Sequence, residues 1–166
     1  MLNALSRADV FVEDKLFATL DPTTRRLTLP DRNVVLLTDT VGFIRKLPPT
    51  IVTAFKATLE ELSEANILLH VVDLASHNAP EQCRTVEDIL ADLDLMDKPR
   101  VTALNKIDLV LNHGRTWDEE SALNYLYDRD DAINKNMVLI SAKKRWGLDK
   151  LLGALSRRLT PTPQPA

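Results

Sequence analysis

Glycine is scarce in this chain: there are four in 166 residues, Gly42, Gly114, Gly147 and Gly153. None precedes a lysine followed by serine or threonine, so these residues contain no GxxxxGK[ST] stretch. Such a stretch holds phosphate on backbone N–H groups, which only glycine lets approach the anion closely. A single cysteine, Cys83, rules out an internal disulfide and is expected to be a small packed or surface residue. No apolar run reaches the roughly 20 residues of a membrane span. The opening MLNALSRADV has neither the basic flank nor the long apolar stretch of a secretory signal. A cytoplasmic setting is therefore expected. The formal net charge is −3, so bulk charge argues for no nucleic-acid partner, and no DNA binding is expected. The short basic cluster Lys143, Lys144 and Arg145 is expected to be a solvated loop.

What is present has the balance of a globular domain, 45% apolar and 27% charged, in a chain long enough for one sizeable core. Strand and helix patterns alternate. Arg25–Leu29 and Val34–Leu37 read as strands joined by a tight turn over Pro30, Asp31, Arg32 and Asn33, a hairpin. Ile51, Phe55, Leu59 and Leu62 recur at helical spacing. Ile67–Val72, Val101–Leu104 and Met137–Ile140 read as further strands. Between the first two of these lies a helix with Asn78 as cap, Pro80 in its first turn and Glu81 three residues after the cap. Its buried stripe is Val86, Ile89, Leu90 and Leu93. Thr116 with Glu119 has the spacing of a capping box opening another helix. Leu148, Leu151, Leu152, Leu155 and Leu159 line the last helix, with Arg157 and Arg158 at its negative end. This alternation predicts an α/β fold, a mostly parallel sheet with helices on both faces, whose ligands bind beyond the carboxyl ends of the strands.

The residues that follow the predicted strands carry the chemistry. Asp39, Thr40, Val41 and Gly42 form a DxxG. An aspartate there suits Mg²⁺, and the glycine lets an N–H approach a terminal phosphate. Asn105, Lys106, Ile107 and Asp108 form an NKxD, the most informative stretch. Guanine offers a ring N–H and an exocyclic amino group on one edge, and one carboxylate, Asp108, can accept from both; adenine has no such donor pair. Asn105 can bond the base and tie loops together, and the Lys106 stem can lie over the ring plane. Ser141, Ala142 and Lys143 follow the next strand, where a small residue can bring a backbone N–H to the guanine carbonyl. Upstream, Phe17, Ala18, Thr19, Leu20 and Asp21 precede the hairpin. A loop threonine can complete Mg²⁺ coordination, and composition does not choose between Thr19, Thr23 and Thr24.

This ordered series resembles the G2 to G5 motifs of translational GTPases. DKLFATLDPTTR (Asp14–Arg25), DTVGFIRKLP (Asp39–Pro48), AFKATLEE (Ala54–Glu61) and HVVD (His70–Asp73) resemble the HflX family of ribosome-associated GTPases. The resemblance runs nearly to Leu159. It implies a P-loop NTPase-like, Ras-like G domain. It makes Thr19 the favoured Mg²⁺ ligand beside Asp39 and sets Asp39–Gly42 at Mg²⁺ and γ-phosphate. Asn105, Lys106, Asp108 and Ser141–Lys143 would hold the guanine of GTP or GDP. The large ribosomal subunit is the implied partner. Phe43 stands where many GTPases have a water-orienting glutamine, and an apolar ring cannot orient water by hydrogen bonding. Slow hydrolysis, raised by a partner, is implied.

Met1–Ser6 resembles the part of the first helix that follows the P-loop, so a first strand and P-loop are expected to be absent from these residues. Residues 1–159 then form a partial G domain carrying G2 to G5, and 160–166, TPTPQPA, a flexible proline-rich tail. The family's amino-terminal domain is likewise not among these residues. The absent strand would sit between Val34–Leu37 and Ile67–Val72. Those two strands are expected either to expose bare edges or to pair directly, with marginal stability as the consequence. GTP hydrolysis is expected to be impaired. The alternatives are a non-catalytic ribosome- or protein-binding module and a gene fragment without independent activity.

Overall fold

Short leucine- and valine-rich runs ending in polar residues become the strands, and their common polar ends gather at one edge of a sheet. The computed structural model describes residues 1–6, 23–40, 62–129, 133 and 136–159. Strands β1 (Thr23–Thr28) and β2 (Val34–Asp39) pair antiparallel, with Arg26 opposite Leu36 and Thr28 opposite Val34. The hairpin turn lies where the sequence predicts it. Leu29 N–H donates to Asn33 O at 2.8 Å and Arg32 N–H to Leu29 O at 2.9 Å. Arg32 takes the left-handed conformation, φ 67°, that reverses the chain.

Strands β3 (Leu68–Asp73), β4 (Arg100–Asn105) and β5 (Met137–Leu139) form a parallel sheet in the order β3-β4-β5. The register puts Asp73 beside Asn105 and Leu104 beside Leu139, so the carboxyl ends of all three strands share one edge. Parallel strands require long crossovers. These are α2 (Ala79–Asp92) between β3 and β4, and α3 (Ile107–Val110) with α4 (Glu119–Arg129) between β4 and β5. A short α1 (Leu2–Ser6) opens the chain and α5 (Leu148–Leu159) closes the described part.

Alternation along the strands splits the core in two. Val101, Ala103, Val138 and Ile140 face α5 through Leu148, Leu151, Ala154 and Leu155; Leu27 and Leu29 of β1 and Ala4 and Leu5 of α1 join the same cluster. On the opposite face Val72, Leu104 and Leu139 pack with Ile107 and Leu123, and Leu68 packs with Val86 and Leu90 of α2. Both faces are therefore covered by helices, as the continuous apolar strands predict. Within the stripe predicted on α2, Val86 and Leu90 are buried while Ile89 and Leu93 are half-buried. The predicted helix through Ile51, Phe55 and Leu59 lies outside the described residues, as does the 160–166 tail; Leu62 packs beside Leu68, Val86 and Leu90.

Two capping expectations are corrected, and of the two outcomes expected for β2 and β3 direct pairing is not the one found. Among the described residues β2 and β3 do not pair; they belong to two separate sheets, and the hairpin is held to the larger sheet by side-chain packing. Val34 and Leu36 on β2 and Val71 on β3 stay exposed. The capping box at Thr116 and Glu119 does not form. Asp118 caps α4 instead, its Oδ1 accepting the Ser121 N–H at 2.8 Å and the Ser121 hydroxyl at 2.7 Å. The Ser121 hydroxyl, and then its backbone N–H, hold the Asp118 carboxyl below the usual range. Asn78 does precede α2 as predicted, but its side chain makes no capping bond.

Candidate functional site

The edge where β3, β4 and β5 end carries a dense polar network. Asn105 closes β4, and its Oδ1 accepts the Ala142 N–H at 3.0 Å, tying the loop after β5 to the end of β4. Lys106 then turns left-handed, φ 67° and ψ 31°, and Ile107 starts α3 fully buried. That turn sends the Asp108 carboxylate back toward the β5 loop. Ser141 donates its hydroxyl to Asp108 Oδ1 at 2.6 Å and accepts the Lys144 N–H at 3.0 Å. Ser141 is fully buried and its hydroxyl is satisfied as both donor and acceptor, as a buried polar group requires.

The loop that carries Ser141 is closed on itself. Ser141 and Trp146 exchange two backbone hydrogen bonds at 3.1 and 3.0 Å. Gly147 follows in the left-handed conformation, φ 71°, and donates its N–H to Glu119 Oε1 at 2.8 Å. Glu119 thus anchors this loop rather than capping α4. At the other side, Leu74 N–H donates to Asn105 O at 2.9 Å, and Lys106 Nζ meets Asp73 Oδ2 at 2.8 Å.

Asn105, Asp108, Ser141 and Ala142 are therefore brought into one network. Lys106 flanks it with its ammonium turned to Asp73, and Lys143 is exposed on the same loop. Asp39 and Thr40 end the hairpin, Asp39 exposed and Thr40 half-buried, and no hydrogen bond joins either side chain to the network among the described residues. Phe17, Ala18, Thr19, Leu20, Asp21, Val41 and Gly42 lie outside the described residues, as does Phe43. Thr24 donates to or accepts from Thr38 at 2.9 Å across the hairpin. The sequence alone assigned no role to Asp73 or Gly147, and it gave Glu119 only the capping role that the structure does not bear out. The only signal was that Asp73 directly follows the predicted strand Ile67–Val72, in the HVVD stretch.

A left-handed turn at a strand end, a carboxylate held by a buried serine from the next strand's loop, and an asparagine clamping that loop thus meet at one edge of the sheet. The model of the family described as 50S ribosome-binding GTPase matches residues 1–106. The chain belongs to that GTPase family, and within it to the HflX group. It is 48% identical over 159 residues to the GTPase HflX of Caldanaerobacter subterraneus, covering 96% of this chain and 33% of that protein. It is 40% identical over 160 residues to the GTPase HflX of Escherichia coli, covering 96% of this chain and 35% of that one. The chain thus spans about a third of the length of these curated relatives. A GTP-binding protein from the archaeon Sulfolobus solfataricus, solved in complex with GDP, superposes with a TM-score of 0.66 at 26% identity, over 95% of this chain and 47% of that one. Among the described residues no helix is long and apolar enough to cross a membrane.

Proposed function

We propose that this chain reads the guanine of GTP and GDP, as part of the G domain of an HflX-like ribosome-associated GTPase working in the cytoplasm. The observation that carries the reading is the 2.6 Å bond from Ser141 to Asp108. It aims a half-buried carboxylate at the strand-end edge, with Oδ1 held by Ser141 and the second oxygen turned to no side chain among the described residues. Asp108 accepts the two donors of the guanine edge. Asn105 holds the Ala142 loop against it through the Ala142 N–H, Lys143 supplies the N–H side of the pocket, and the Lys106 stem covers the ring. Ile107 does not touch the base; fully buried, it fixes the start of α3.

The phosphate end is assigned to Phe17–Asp21 and to Asp39–Gly42. The exposed Asp39 carboxylate at the end of β2, with no ion pair among the described residues, fits a hard cation. Thr19 and Asp39 would hold Mg²⁺, which supplies charge neutralisation of the phosphates when bound. These 166 residues hold no GxxxxGK[ST] and carry Phe43 after the DxxG glycine, so hydrolysis by the chain alone is slow. The partner is the large ribosomal subunit, in line with the description of the matching family.

Calorimetry with GDP, GTP and ADP tests the reading. Guanine nucleotides are expected to bind and ADP not. Asp108→Asn is expected to lose GDP and gain xanthosine diphosphate, because the amide then donates where the carboxylate accepted. Equal binding of GDP and ADP, or no binding of either by a folded chain, would overturn it.

A further inference from the structure

Asp73 is the last residue of β3 and the neighbour of Asn105 in the parallel register. Its two carboxylate oxygens are divided between tasks. Oδ1 accepts the Ala75 N–H at 3.0 Å and so shapes the turn that leaves the strand. Oδ2 accepts the Lys106 ammonium at 2.8 Å. Lys106 is a non-glycine residue in the left-handed conformation, and it is half-exposed, so nothing in its own turn restricts its long side chain. A free lysine samples many rotamers, and ordering it on ligand binding opposes affinity. The ion pair removes most of that freedom before any ligand arrives.

We propose that Asp73 is a positioning residue of the nucleotide site: it holds the Lys106 ammonium so that the lysine stem already lies across the place where the base stacks. The inference rests on the guanine-binding reading and deepens it. The stem runs from the end of β4 to the end of β3, and Asp73 fixes its far end. In the free protein the pair is open to water and contributes little to stability. A base lying on the stem excludes that water, so the attraction strengthens on binding and appears mainly in affinity.

The test is the equilibrium affinity of the 166-residue chain for a fluorescent GDP analogue, measured for wild type, Asp73→Asn, Lys106→Met and the double variant. Asparagine keeps the acceptor for the Ala75 N–H and removes the charge; if it fails to fold, Asp73→Ser, whose hydroxyl can also accept that N–H, takes its place. Asp73→Asn is expected to weaken binding about five- to tenfold while its melting temperature stays within about 2 °C of wild type. The gap should narrow as salt is raised. In the Lys106→Met background the Asp73 change should have no further effect. Unchanged affinity of Asp73→Asn, or fully additive losses, would overturn the positioning role and leave the guanine reading intact. A wild-type chain that binds no guanine nucleotide would overturn both.

Discussion

Gly147 sits at the junction between the loop carrying Ser141 and the start of α5, and adding one methyl group there should separate backbone demand from helix propensity. At φ 71° an L-residue is strained, which costs about 1–2 kcal/mol for alanine. A Cβ at this position would lie 2.1 Å from the Leu139 carbonyl oxygen and 3.2 Å from a methyl of Ile140. The first contact is with the backbone of β5, which is locked into the sheet and cannot rotate away. Overpacking of this kind adds about 1–3 kcal/mol. Together Gly147→Ala should lose about 2–5 kcal/mol. Gly153→Ala is the control. It lies inside α5, and its Cβ would meet only the end of the Arg157 side chain at 3.4 Å. There alanine should gain about 0.5–1 kcal/mol. Urea unfolding followed by circular dichroism reads both. Similar midpoints for the two variants, or a loss below about 1 kcal/mol at Gly147, would refute the claim that the loop's close approach to β5 demands glycine.

Leu151 is fully buried against Val101, Ala103 and Val138, so Leu151→Ala should cost about 2–5 kcal/mol in the same denaturation assay. Arg32 occupies the left-handed turn position of the hairpin and is exposed; Arg32→Gly should raise the urea midpoint, by up to about 1 kcal/mol of stability. Burial, reinforced by the Arg100 guanidinium and opposed by Glu87, holds the His70 imidazole below its usual range. The fold therefore favours neutral His70, the unfolded chain binds the extra proton as pH falls through about 6.5, and stability is lost from there downward but not above. His70→Gln should flatten the fall in melting temperature between about pH 7.5 and about pH 5.5, and an unchanged slope would count against the buried neutral imidazole.

Much of the architecture is local information. Each strand of the parallel sheet is a short apolar run, the α5 stripe repeats at helical spacing, and Pro30–Asn33 has turn chemistry, so their kinds and order can be read before any packing is known. The same holds for the residues of the network. Asn105 and Ser141 stand directly after predicted strands and Asp108 three residues after Asn105, and in a parallel sheet strand-end positions converge whatever the details of packing.

Tertiary structure alone decided who bonds to whom. Ser141 and Asp108 are 33 residues apart, and so are Lys106 and Asp73; Asn105 and Ala142 are 37 apart. Such pairings depend on strand register and on the left-handed turn at Lys106, neither of which periodicity encodes. Glu119 shows the limit most clearly. Its spacing from Thr116 fits a capping box, but the loop after β5 offers it the Gly147 N–H, and Asp118 is left to cap α4. A side chain takes the partner that the fold brings near, and sequence spacing describes only the partners within its own helix turn. Residue types and their order along the chain therefore came from the sequence, while the division of labour at the strand ends, Asp73 included, came from the fold.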